Sequence, residues 1–275
     1  MIELAWGAHS DRGRRRALNE DSFLAEPPLF FVADGMGGHT AGDRASAAAI
    51  EAFAELSGRA SVALDDVERA FARAVHEVSG ISTGADAAGT TISGVAVTEQ
   101  NGEAYWLVVN IGDSRTYRLS AGVLEQISVD HSEVQELVER GELSSAEAER
   151  HPRRNVITKA VGAGSYDEPD YWFMPVAQGD RIMVCSDGLS KELNAAQLTQ
   201  VLVEERSAQT AATRLVHEAL VHGGRDNITV VVVDAVRLDG QVLADDTQTH
   251  LLDEDTLPRG LSANEGMGDA PIQFG

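Results

Sequence analysis

The chain has 275 residues, of which 43% are hydrophobic and 5% aromatic, so it can bury the core of one large domain or two small ones. Its 44 acidic and 22 basic side chains give a net charge of −22, which would repel nucleic acid and anionic membrane surfaces. A single cysteine, Cys185, excludes an intrachain disulfide bond. Neither a membrane-spanning run nor a secretory signal is evident, so we expect a soluble, cytoplasmic monomer.

Helical and strand patterns follow one another from the start of the chain to about residue 236. In chain order we predict a strand at 29–33, helices at 45–53 and 67–78, strands at 90–98, 104–111 and 115–119, a short helix at 134–138, a strand at 181–185, a helix at 212–220 and a strand at 228–236. Several strands are apolar on both faces and need cover on each side. Because the strands cluster between helix pairs, we expect an α+β fold with two sheets between helix layers.

The chain divides into a patterned body and an acidic end. We predict one domain at 1–236, whereas 237–275 carries eight acidic and two basic residues with little apolar periodicity. Such a segment buries too little apolar surface to offset the entropy of ordering, so we expect a disordered tail.

Aspartates lie where apolar strands end. Asp34 precedes Gly35, Asp113 follows Gly112, and Asp187 precedes Gly188, while Asp226 lies just before the last strand. A single Asp–Gly pair is ordinary turn chemistry. Several carboxylates on one rim instead repel one another unless cations neutralise them, and hard oxygen ligands favour Mg²⁺, Mn²⁺ or Ca²⁺ over zinc. The recurrence therefore predicts a shared metal site.

Six short motifs occur in a characteristic order: RALNED at 16–21, DGMGGH at 34–39, GTT at 89–91, IGDSR at 111–115, SDGL at 186–189 and DNIT at 226–229. In order and spacing they resemble the successive motifs of the metal-dependent type 2C protein serine/threonine phosphatases, in particular the compact bacterial members. The resemblance covers residues 5–236. It implies a four-layer αββα sandwich, two mostly antiparallel sheets flanked by helices, with a binuclear Mn²⁺ or Mg²⁺ centre in the cleft between the sheets.

The resemblance also implies a set of metal ligands. Asp34 would bridge two ions, Asp187 and Asp226 would complete the first ion's site, and the Gly35 carbonyl would serve the second. Asp113 resembles the ligand of a third, weaker site.

Further residues resemble groups that handle water, phosphate and protons. Asp21, and with it Glu20, would hold metal-bound waters, and Arg16 would grip the substrate phosphate with its bidentate fork. His39 is a candidate general acid for the leaving oxygen, and the alternative is that it only packs beside the glycine turn.

The implied reaction is hydrolysis of phosphoserine and phosphothreonine in proteins by a hydroxide activated between two ions. By family analogy the substrates are phosphoproteins made by a bacterial serine/threonine kinase. Residues 130–168 resemble a flap beside the active site, with a basic concentration that either meets the substrate or is a solvated face: Arg150, Arg153, Arg154 and Lys159.

Two alternatives can be weighed on the residues present. A cysteine-dependent phosphatase needs an arginine six positions after the nucleophile, and Lys191 stands there; Cys185 itself lies within an apolar strand. A catalytically silent phosphopeptide-binding relative would have lost a metal carboxylate, whereas the expected carboxylates are all present.

Overall fold

The computed structural model describes residues 2–37, 41–81, 88–148, 150–162 and 168–238. The strands in this part of the chain are β1 (Ile2–Asp11), β2 (Asp21–Glu26), β3 (Leu29–Met36), β4 (Gly89–Thr90), β5 (Ile92–Gln100), β6 (Glu103–Ile111), β7 (Arg115–Ser120), β8 (Val123–Gln126), β9 (Asp170–Pro175), β10 (Arg181–Cys185) and β11 (Ile228–Leu238). The helices are α1 (Ala41–Ala54), α2 (Leu64–Ile81), α3 (Glu133–Glu139), α4 (Ser145–Ala148), α5 (Asp187–Ser190), α6 (Ala195–Glu204) and α7 (Ala208–His222).

The strands form two sheets in which neighbouring strands pair antiparallel. One sheet has the order β1-β11-β10-β7-β8, and the other has the order β2-β3-β5-β6-β9, with β4 added against β3. Chain connections pass from one sheet to the other after β1, β6, β8 and β9. Segments distant in sequence therefore meet at the ends of the sheets.

Three apolar cores separate four layers. Because successive side chains of a strand point to opposite faces, Phe31 packs against α1 and α2 while Phe30 packs between the sheets. Val230 likewise faces α6 and α7, and Val231 faces the middle core. Cover on both faces explains the continuous apolar runs, and the predicted αββα sandwich with antiparallel sheets is confirmed.

Most predicted elements occur, with corrections at their ends. The strand expected at 90–98 is divided at Thr91 into β4 and β5, and β11 continues two residues beyond the expected end at 236, where Ile2 pairs with Leu238. Strands β1, β2, β8 and β9, and helices α4, α5 and α6, were not predicted.

Some expectations fall on residues that are not described. The tail is one: its first two residues, Arg237 and Leu238, belong to β11, and residues 239–275 lie outside the described residues. Within the described ranges, no helix combines the length and apolar character that a membrane crossing requires.

Candidate metal centre

The first pair of carboxylates is set by strand register. Asp21 opens β2 and lies directly opposite Asp34 near the end of β3. The Thr91 hydroxyl accepts a hydrogen bond from the Asp34 backbone N–H at 3.0 Å, and the Thr91 N–H donates to the Asp34 carbonyl at 2.9 Å. The break between β4 and β5 thus fixes the backbone that carries Asp34.

The other three carboxylates come from connections between elements. Asp187 begins α5 directly after β10, Asp113 lies in the β6–β7 turn, and Asp226 precedes β11. A Cβ at Gly188 would collide with the carbonyl oxygen of Asn227, so glycine is required for α5 to approach the segment that carries Asp226. The close approach brings Asp187 and Asp226 to the same rim.

Burial and mutual repulsion perturb the proton affinities of these acids. Burial raises the pKa of Asp34 well above its usual range, with further increases from the charges of Asp21, Asp187, Asp113 and Asp226. Burial likewise raises the pKa of Asp21 to about 7 and that of Asp113 to about 7, and in both cases the Asp187 charge adds to the increase. These interactions show that the structure brings the five predicted aspartates into one electrostatic cluster.

The cluster holds carboxylate oxygens that no described group satisfies. Asp21 Oδ1, Asp113 Oδ1 and Asp187 Oδ1 are buried and have no hydrogen-bond partner. A buried acceptor without a partner destabilises a fold, and a purely carboxylate donor set is what Mg²⁺ and Mn²⁺ prefer. The residues therefore fit the divalent ions that the sequence predicts.

Two side-chain cations already pair with the cluster. Arg16 binds Asp226 through both oxygens, and the Lys191 ammonium donates to Asp187 Oδ2. In the described part of the chain, no three acidic, histidine or cysteine side chains are arranged as a ready set of ligands around one point. Ion binding would thus require these carboxylates to move.

Gly35 lies where three segments meet. Its N–H donates to the Glu20 carbonyl at 3.1 Å, and a Cβ at this position would collide with the Gly42 carbonyl oxygen at the start of α1. The Glu20 carboxylate lies 3.6 Å from Arg16, and burial raises its pKa. Gly35, Glu20 and Arg16 therefore lie beside the aspartate cluster, whereas the candidate general acid His39 lies outside the described residues.

Sequence reasoning assigned no role to Asn227, which holds the β1–β2 loop. Its amide donates to the Arg12 and Leu18 carbonyls at 2.9 and 2.8 Å, and its oxygen accepts the Glu20 N–H at 2.9 Å. Asn227 thus fixes the loop that carries Arg16. The available signal was its position directly after Asp226.

Ser186 was also missed as a functional residue. Its hydroxyl donates to Asp21 Oδ2 at 2.8 Å and accepts the Thr229 N–H at 3.0 Å. Ser186 therefore orients Asp21 and leaves the other carboxylate oxygen, Oδ1, free to accept. The only indication of this role in the sequence was its position directly before Asp187.

The segment that we predict to be a flap begins beside Asp113, where His131 contacts the preceding glycine. His131 Nδ1 accepts the Gly112 N–H at 3.1 Å, and Nε2 contacts Asp170 Oδ2 at 3.1 Å, so the ring proton resides on Nε2. Of the basic flap residues, Arg153 pairs with Glu133 at 2.5 Å. The concentration of positive charge there is partly neutralised.

Cys185 has no features of a nucleophile. Its side chain is fully buried in β10, and burial raises the pKa of its thiol to about 12. This finding is against the cysteine-dependent alternative.

The fold agrees with the comparisons to known proteins. The family model described as protein phosphatase 2C matches residues 10–222, and the chain belongs to this family. The serine/threonine protein phosphatase PstP of Mycobacterium tuberculosis is 38% identical over 264 residues, covering 91% of this chain and 50% of PstP. The chain thus spans half the length of that relative.

Two further comparisons cover their relatives almost completely. The serine/threonine phosphatase stp of Listeria innocua is 32% identical over 239 residues, which are 82% of this chain and 93% of stp. The crystal structure of the catalytic domain of PstP in complex with two manganese ions is 35% identical, with a TM-score of 0.76 over 86% of this chain and 100% of that domain. The predicted family is confirmed.

Proposed function

We propose that the chain is a metal-dependent phosphatase that hydrolyses phosphoserine and phosphothreonine in proteins, with two Mn²⁺ or Mg²⁺ ions held by Asp34, Gly35, Asp187 and Asp226. The observation that carries this proposal is the buried aspartate cluster with unpartnered oxygens beside the exposed side of Arg16. Such a cluster is unfavourable alone and becomes favourable when cations neutralise it. The two manganese ions named for the PstP catalytic domain support the proposal.

The residues of the chain have distinct tasks in this mechanism. When bound, the two ions neutralise the carboxylates and supply an activated water as nucleophile at neutral pH. Arg16, whose side chain is 48% exposed, binds phosphate oxygens with its two-pronged guanidinium group. Asp21, oriented by Ser186, accepts a hydrogen bond from water through Oδ1, and Glu20 does the same nearby.

Other parts of the proposal rest on the family resemblance. His39 is proposed to give a proton to the leaving seryl or threonyl oxygen. The proposed substrates are phosphoproteins made by a bacterial serine/threonine kinase, which this activity would oppose. A cytoplasmic location, a monomeric state and a separate tail at 237–275 stay predictions.

Phosphate release tests the proposal directly. With Mn²⁺, the full chain should hydrolyse an aryl phosphate and a phosphothreonine peptide, and EDTA should abolish both activities. Asp34→Asn and Asp187→Asn should each lower kcat about a hundredfold or more, since each removes charge that organises the nucleophile. Asp65→Asn, at an exposed position of α2, is the matched control and should not change kcat.

Three outcomes would contradict the proposal. Full turnover in EDTA would exclude the metal mechanism, and unchanged turnover in Asp34→Asn would exclude this site. Binding of the phosphopeptide without any phosphate release would instead support a silent binding protein.

A further inference from the structure

The ammonium group of Lys191 lies within the aspartate cluster. Lys191 follows Asp187 by one helical turn at the C-terminal end of α5, and its Nζ donates to Asp187 Oδ2. Its charge is also attracted to Asp113 and Asp226. With 35% of its side chain exposed, Lys191 is partly withdrawn from water and faces the carboxylates.

Asp113 is a buried acid whose ionised form is favoured by a nearby positive charge. It is buried, Oδ1 is unpartnered, and the nearby Asp187 charge is unfavourable for its ionised form. Two cations act on Asp113, Arg115 and Lys191. Arg115 is held by Asp130 through Nε at 2.9 Å and Nη2 at 2.7 Å, so its hydrogen bonds are already committed.

Lys191 and the proposed first metal ion can share Asp187. Lys191 binds Oδ2, whereas Oδ1 is buried and without a partner, so Oδ1 is left to ligate an ion. The Lys191 ammonium is covalently attached to the chain, so it does not have to bind from solution. It contributes one positive charge to the cluster, whereas a divalent ion would contribute two. Electrostatic repulsion between this ammonium and an incoming divalent cation would oppose binding there.

We propose that Lys191 is a built-in cation that takes the place of a third metal ion at Asp113, so that this chain binds two divalent ions rather than three. The inference rests on the proposed two-ion centre. It assigns Asp113 a different partner from the one that the family resemblance implies. Occupancy of the Asp113 position then becomes independent of the concentration of free metal.

Metal stoichiometry tests this inference without relying on turnover. The full chain is dialysed to equilibrium against saturating Mn²⁺ at pH 8, and bound manganese is measured by elemental analysis. The unaltered chain should bind two ions. Lys191→Met and Lys191→Asp should bind three, because both remove the ammonium and the second also adds a ligand.

Two variants separate the ammonium from general effects of charge and packing. Lys191→Arg keeps the positive charge and should retain two ions. Lys159→Asp makes the same change of charge in the flap, at the other lysine of the chain, and should also retain two ions. If Lys191→Asp does not fold, as judged by circular dichroism, Lys191→Met decides the question, since it keeps the side-chain length and adds no acid.

The outcomes distinguish this inference from the proposed function. Three ions in the unaltered chain, or two in folded Lys191→Met, would overturn the role of Lys191 and leave the two-ion centre standing. Fewer than two ions in the unaltered chain would overturn both.

Discussion

Arg16 and Asp226, which are 210 residues apart, form a two-pronged ion pair with Nε–Oδ1 at 2.8 Å and Nη2–Oδ2 at 2.9 Å. The hydrogen bond to Asp226 is the largest contribution to the raised pKa of Arg16, so the guanidinium group is held charged and in one orientation. The same two donors suit a phosphate oxygen pair. Because Asp226 occupies these donors, Arg16 would exchange this carboxylate for the phosphate, and Asp226 would then be left to hold the proposed ion.

Replacing Arg16 should weaken substrate binding more than turnover. Each hydrogen bond to a charged group contributes roughly 1.5–3 kcal/mol, so Arg16→Ala should raise KM for an aryl phosphate about tenfold to a hundredfold. Arg16→Lys should recover only part of this loss, because an ammonium lacks the fork. Steady-state kinetics measures both, with Arg69→Ala on α2 as the control; an unchanged KM in Arg16→Ala would exclude the assigned role.

The stability of the chain in EDTA should depend on the raised pKa values of Asp21 and Asp113, both about 7. Between about pH 4 and 7 the folded chain binds protons on these acids that the unfolded chain does not. Their contribution to the free energy of unfolding is therefore present at low pH and lost as pH rises through 7, at up to about 1.4 kcal/mol per pH unit for each group.

Urea unfolding at several pH values tests whether the free energy of unfolding falls as pH rises. The double variant Asp21→Asn, Asp113→Asn should show a flatter dependence than the unaltered chain, and the difference between them should grow towards pH 8. Parallel curves would show that these acids do not bind protons in the folded chain.

Asn227→Ala should loosen the β1–β2 loop. It removes hydrogen bonds to the Arg12 and Leu18 carbonyls and leaves the Glu20 N–H without its acceptor, which should lower the free energy of unfolding by about 1–3 kcal/mol. KM for phosphate esters should rise as well, because Arg16 is carried by this loop. Asn155→Ala, at an exposed flap position, is the control for both measurements, and an unchanged KM would separate Asn227 from substrate binding.

Gly35→Ala and Gly80→Ala form a matched pair for thermal unfolding. At Gly35 the added methyl group would meet the Glu20 carbonyl oxygen at 2.5 Å and collide with Gly42, so the unfolding temperature should fall. At Gly80, near the end of α2, nothing lies within 4 Å, and alanine should raise stability by up to about 1 kcal/mol. Equal effects of the two substitutions would contradict the close approach at Gly35.

The sequence predicted the central strands and missed the edges of both sheets. Strands β3, β5, β6, β7, β10 and β11 have neighbours on both sides and are mostly buried, so their apolar runs are evident. The four strands at the edges of the sheets, β1, β2, β8 and β9, are only partly buried. Their sequences therefore mix polar and apolar residues. Periodicity alone does not distinguish such segments from loops.

The same limit applies to the site. Carboxylates such as Asp34 and Asp187 could be predicted because each follows a recognisable strand. The role of Asn227 depends on contacts with another segment, among them one with Arg12 at a separation of 215 residues. Such contacts cannot be predicted from the residues that are adjacent in sequence.

The dispersal of the carboxylates along the chain also bears on folding kinetics. Asp21 and Asp226 are 226 − 21 = 205 residues apart, and the cluster combines parts of β2, β3, the β6–β7 turn, α5 and the segment before β11. Closing loops of this length is slow and depends on both sheets having formed. The site should therefore assemble late in folding, and recovery of metal binding should report completion of the whole domain rather than of either sheet.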